Sequence, residues 1–180
     1  MAERLAPAVG VLSTWSRPRA HTGRIRHQPS DVLRVSVPAN WDAVDASAGG
    51  VTYAPDGGFV QGDNGGSAFT HGVQVGVAQG GGGNLQQDTQ QLLQSFSRSN
   101  PDLRAAGKSR RETIGGRRGI TTPLSNVSEV TGEREYITLS TTQLRDGSLL
   151  YIIGVAPQSE AKTYENTFRR VRQSLQIADR

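Results

Sequence analysis

Cysteine is absent from all 180 residues. Disulfides and thiolate metal sites are thereby excluded, but no compartment is, because exported proteins also do without cysteine. Long apolar runs are absent too, and nothing approaches the ~20 residues of a membrane-crossing helix. Residues 5–13, LAPAVGVLS, are broken by Pro7 and Gly10 and follow an acid at Glu3; they make a poor signal peptide and suggest a truncated or artificial start. HExxH, GxSxG and the glycine-rich phosphate and dinucleotide loops are missing as well. Gly80–Gly83 runs into Asn84-Leu85-Gln86-Gln87 without the Lys-Ser/Thr of a phosphate loop, so it reads as a flexible joint before a helix.

An excess of positive charge is lacking where it would matter. The net charge is +4, and Arg4, Arg17, Arg19, Arg24 and Arg26 against Glu3 account for all of it within residues 1–30. The remainder is neutral, which counts against a nucleic-acid partner. Metal sites fare no better. His21 and His27 have no third ligand nearby, and Asp56 and Asp63 lack the alternating oxygen ligands of a calcium loop. Glu133 and Glu135, the one close carboxylate pair, would share a solvent face. No catalytic, metal or cofactor residue is assigned, and the chain reads as one that makes and breaks no bonds itself.

What is present is strand pattern. In Arg134–Ala156, two runs of β-branched, aromatic and aliphatic residues flank Asp146-Gly147. That dipeptide predicts a type I′ hairpin turn with both residues at positive φ. On the second arm Leu149, Tyr151, Ile153 and Val155 alternate with Leu150, Ile152, Gly154 and Ala156. Both sets are mostly apolar, so this strand should lie mid-sheet and be covered on both sides.

Residues 1–23 show neither period and read as a linker or disordered arm, leaving 24–178 as a single domain. Residues 33–41 alternate up to Pro38, after which Trp41 should fold back as a core plug. Residues 51–55 and 69–80 predict further strands, with 56–68 between them an irregular loop. His71 reads as a strand-end residue. Asn84 with Gln87 makes a capping box, and Leu85, Thr89, Leu92, Leu93 and Phe96 form one helix face, with Asp88 on the solvated side. Asn100-Pro101 stops that helix. A hairpin over 107–125 should turn at Gly115-Gly116, with Pro123 at an edge or bulge and 124–133 a polar connection. Arg110, Arg111, Arg117 and Arg118 bracket its turn and read as a charged strand end in preference to an anion site. Ser159 could cap a closing helix with the stripe Tyr164, Phe168, Val171, Leu175, off which Arg169, Arg170 and Arg172 lie. The expected fold is α+β: an α/β/α sandwich of a mainly antiparallel sheet and two packing helices.

Taken together, LRVSVPANW, VTYAP, FTHGVQVGVAQG, GGNLQQ, LSNVSEVTGE, TTQLRDGSLLYIIGVAPQSE and TYENTF resemble the C-terminal accessory domain of bacterial gluzincin zinc metalloproteases, the family of the CAAX prenyl protease and HtpX. The likeness spans roughly residues 25–178. That family carries its HExxH in a separate domain, so no zinc or catalytic residue transfers to any position here. The resemblance implies a PsbP-like sandwich, as in photosystem II extrinsic proteins and Ran-binding Mog proteins. It also implies an extracytoplasmic setting and a protein or peptide partner, possibly a protease domain. Two departures are the arginine-rich start and Thr122-Pro123. The expectation is a non-catalytic interaction module docking its partner on a sheet edge or helix face. The alternative is a small-ligand-binding or enzymatic domain with a pocket near Trp41, Tyr53 and His71; an anion site on the hairpin arginines ranks third.

Overall fold

Alternating apolar residues put more of this chain into strands than into helices, and the few 3.6-period stretches supply the covers. The computed structural model describes residues 20–26, 32–45, 50–61, 67–128 and 131–178. In chain order the strands are β1 (Ala20–Arg26), β2 (Val32–Pro38), β3 (Trp41–Asp45), β4 (Gly50–Pro55), β5 (Phe59–Gln61), β6 (Ser67–Phe69) and β7 (Gly72–Ala78). Helix α1 (Leu85–Ser99) follows, then β8 (Arg104–Ala105), β9 (Arg110–Ile114), β10 (Arg117–Val127), β11 (Arg134–Gln143) and β12 (Leu149–Pro157). A 3-10 turn (Gln158–Glu160), helix α2 (Ala161–Ser174) and β13 (Gln176–Ala178) complete the described chain.

The main sheet has eight strands in the order β3-β4-β7-β12-β11-β10-β8, with β9 also on β10. Its ladders are antiparallel, and β12 sits at the centre between β7 and β11. As expected, β12 is buried on both faces. Leu150, Ile152 and Ala156 join one core with Tyr164, Phe168 and Val171 of α2, whereas Val155, Tyr151 and Ile153 join another with Leu92, Leu93 and Phe96 of α1. A small sheet β1-β2-β13 adjoins α2 through β2. Leu33, Val35 and Val37 of β2 are fully buried against that core, and the Ser36 N–H donates to Ser174 Oγ at 2.9 Å. The fold is thus an α+β sandwich, with a small second sheet packed beside the second helix.

Several local expectations need correction. Strand β1 begins at Ala20, so the expected arm 1–23 overlaps it; residues 1–19 lie outside the described residues. Within the expected loop 56–68, β5 and β6 pair as a hairpin, while Asp63 lies outside the described residues. The turn joining β11 to β12 is not type I′. Only Gly147 has a positive φ (+84°), the Gly147 N–H donates to Leu144 O, and the Leu144 N–H donates to Ser148 O. A type I turn ending in a left-handed glycine carries the same twist with one residue more. Gly115 and Gly116, at φ +57° and +79°, do form the paired positive-φ turn expected of β9–β10.

Pro123 is not on a free edge. It lies opposite Thr138 of β11, at the place where β10 exchanges β9 for β8 as its other neighbour. Its carbonyl accepts from the Ala106 N–H at 3.0 Å, so its missing N–H falls on the side where the ladder is already interrupted. Residues 124–127, expected as a connection, continue β10 because β11 holds them in register. Ser159 makes no cap: α2 starts after Glu160 without a side-chain capping bond.

Candidate functional site

Helix α1 fits its sequence signals. Asn84 Oδ1 accepts from the Gln86 and Gln87 N–H groups at 3.1 Å each, and the Gln87 side chain returns to the Asn84 N–H at 3.3 Å. At the other end, the Asn100 N–H and Nδ2 both donate to Phe96 O at 2.9 Å, and Pro101 prevents another turn. Fifteen residues give a helix of roughly 22 Å at ~1.5 Å per residue. It is anchored over one half of the sheet face, where the Thr89 and Thr141 hydroxyls are 2.7 Å apart. Asp88, expected in solvent, is buried there: it accepts from the Gln143 side chain at 2.8 Å and from the Gly81 N–H at 3.1 Å. Gly80–Gly83 is therefore tethered to the helix it precedes.

Past Phe96 the helix stops and the other half of the face is left hollow. A cavity of about 340 Å³ opens there. Leu103, the chain's first inward residue after α1, closes one side, and Phe69 of β6 reaches the rim. The floor comes from alternate residues of three adjacent strands: Leu124 and Asn126 on β10, Glu135, Ile137 and Leu139 on β11, Ile153 and Val155 on β12. Register sets Asn126 opposite Glu135 and Leu124 opposite Ile137.

Glu135 departs most from expectation. It is only 8% exposed, not on a solvent face, whereas its neighbour Glu133 stands outside the strand in solvent. Asn126 Nδ2 donates to Glu135 Oε2 at 3.1 Å, and Ser128 also bonds the carboxyl. Burial pushes its pKa above the ordinary glutamate value, against the pull of those two hydrogen bonds. Asn126 Oδ1 is buried without a hydrogen-bond partner among the described residues. The signal for this site was in the sequence: Glu135, Ile137 and Leu139 alternate, so an acid heads an apolar stripe.

Trp41, Tyr53 and His71 lie toward the opposite face. Trp41 and Tyr53 are core residues, 3% and 4% exposed. Tyr164 of α2 packs between Trp41 (centroids 6.2 Å apart) and His71 (5.8 Å). Burial raises the Tyr164 pKa to about 12 and lowers that of His71, the latter opposed by Glu160 and Glu133. Trp41 is the plug that its position suggested. The cavity described above, beside the end of α1, carries the buried Glu135 and none of these three residues.

The hairpin arginines do not make one patch. Pairing of Arg111 with Ile120 and of Arg118 with Thr113 sets those two on the α1 side; Arg110 and Arg117 belong to the other. Arg172, expected off the packed stripe, is buried 3.1 Å from Glu112 of β9, whose carboxylate also accepts from Thr121 Oγ1. Among the described residues no helix is long and apolar enough to cross a membrane, and no group of three metal-ligating side chains converges.

No protein-family model and no curated protein matches this sequence. Solved structures do match its shape. Cyanobacterial PsbP (CyanoP) from Synechocystis sp. PCC 6803 superposes with a TM-score of 0.59 at 15% identity, over 92% of this chain and 97% of that one. LpqN of Mycobacterium tuberculosis, involved in cell envelope biogenesis, gives 0.56 at 15% identity, over 88% and 91%. The Ran-binding protein Mog1p of Saccharomyces cerevisiae gives 0.57 at 11%, over 89% and 97%. The PsbP-like fold is therefore present. These likenesses do not extend to zinc metalloproteases.

Proposed function

We propose that this chain is a non-catalytic interaction module that holds a protein or peptide partner in the hollow half-face beyond the end of α1. The observation that carries this reading is the cavity itself, apolar on most sides with one buried acid at its polar end. Concave, mostly apolar sites with few polar groups are the ordinary form of a recognition pocket. Glu135 has no second carboxylate, histidine or nucleophile among the residues that line the cavity with it, apart from the Ser128 hydroxyl bonded to it. Bond-breaking chemistry of the usual acid–base kind would need such a partner. The Ran-binding activity stated for Mog1p supports a protein partner by analogy of fold alone. Attachment to a protease domain is the finer form of this proposal, and the sequence segments quoted above are its support.

The test is selection of peptides from a random display library against the full chain. Bound peptides should be recovered intact, and Leu103→Trp, which fills the cavity from its wall, should weaken them by at least about tenfold. Arg170→Ala, on the exposed side of α2, should leave binding unchanged. Selected peptides that bind the filled variant equally well, or that are recovered cleaved, would overturn the reading.

A further inference from the structure

Glu135 is the single ionisable residue among those lining the cavity; the rest are apolar or carry amides and one hydroxyl. Among the described residues its carboxyl is met by neutral donors only. On the other face the buried guanidinium of Arg172 is paired with the half-exposed Glu112, and the buried Asp88, like Glu135, accepts from neutral groups, the Gln143 amide and the Gly81 N–H. Neutral donors return only part of the hydration a buried carboxylate loses, and a cation returns more. Among the described residues the cavity therefore has a buried acid, a mostly apolar lining and no cation.

We infer that the cavity is a socket for a lysine side chain of the partner, with the stem along Phe96, Leu103 and Ile137 and the ammonium at Glu135. This rests on the interaction-module reading above. The four-methylene stem of lysine suits a mostly apolar lining, and its ammonium suits the one acid in it. Arginine fits less well. Its fork seeks two free carboxylate oxygens, and Glu135 Oε2 already accepts from Asn126. An ammonium is satisfied by separate acceptors, and Asn126 brings a second one, the unpartnered Oδ1, next to the carboxyl.

The experiment uses four peptide sublibraries displayed against the full chain, fixed at one central position as lysine, arginine, norleucine or glutamine. Lysine should be enriched at least about tenfold over norleucine on the wild type, and Glu135→Gln should abolish that preference. The glutamine keeps the shape of the side chain and its bond from Asn126, and an unchanged thermal midpoint or a raised one shows that the variant is folded. Equal enrichment of norleucine or arginine with lysine, or a lysine preference that survives Glu135→Gln, would overturn the inference. If the enriched peptides still lose binding in Leu103→Trp, the docking reading survives that failure; if no sublibrary responds to Leu103→Trp, the docking reading fails too. Free n-pentylamine at millimolar concentration should compete only weakly. Competition as strong as that of the best lysine peptide would make this a small-amine site and overturn the assignment to a partner.

Discussion

A missing methyl group sets how closely α2 lies on the sheet. A Cβ built on Gly154 would come 2.7 Å from the ring of Phe168, which is buried at the centre of the larger core. Gly154→Ala should therefore cost about 1–3 kcal/mol through overpacking. The denaturation midpoint reads it, and Phe168→Leu in the same chain should recover part of the loss. A midpoint unchanged by Gly154→Ala would mean that α2 can lift without penalty. Glu135 has an effect of a different kind. Its pKa is raised above the reference of 4.5, so the native state holds this proton more tightly than the unfolded chain does. The contribution to stability is complete below that reference and is lost as pH rises through the folded value. Glu135→Gln removes the dependence. Its stability curve should be flatter above pH 4.5 than that of the wild type, and at pH 8 it should be at least as stable in thermal melts. A variant less stable at pH 8 would show that the ionised carboxyl is compensated inside the protein.

At the scale of elements, α1 depends on its first turn. Replacing Asn84 by alanine removes the acceptor for two N–H groups and should cost about 1 kcal/mol, read by chemical denaturation. No loss would mean that the bond from Gly81 to Asp88 suffices to start the helix. Both helices and the central hairpin were legible in the sequence because each repeats one period over enough residues to be unmistakable. The paired-glycine turn was legible because Gly115-Gly116 demands it. The Asp146-Gly147 turn was misread, since a dipeptide signal cannot tell two residues at positive φ from one preceded by a type I turn. The candidate site was legible only as the acid-headed stripe Glu135, Ile137, Leu139, and its pairing was not, for a related reason. Asn126 and Glu135 stand in polar surroundings, and only the ladder between β10 and β11 turns them inward to face one another. Arg172 escaped likewise: its partner Glu112 is distant in sequence, and nothing local distinguishes a paired arginine from a solvated one.

Seen as a whole, the molecule divides its work between the two faces of one sheet. On one face α2 packs against the main sheet and β2, with Tyr164, Phe168, Val171 and Leu175 all buried and its outer side exposed. On the other, no described element lies above α1, and Leu92, Leu93 and Phe96 are only half-buried. Local opening is easiest where buried apolar contact is sparse. Hydrogen exchange should therefore separate the two helices: amides of β12 and α2 exchange only through global unfolding, whereas those of α1 exchange by a smaller opening of lower free energy. Addition of a denaturant at low concentration distinguishes these routes, since only global unfolding accelerates steeply with it. If α1 proved as protected as α2, the cavity under its end would be a rigid pocket. The expected asymmetry instead places the recognition surface beside the most yielding helix. Binding there should slow α1 exchange and leave β12 unchanged, a pattern that a site on the α2 face could not produce.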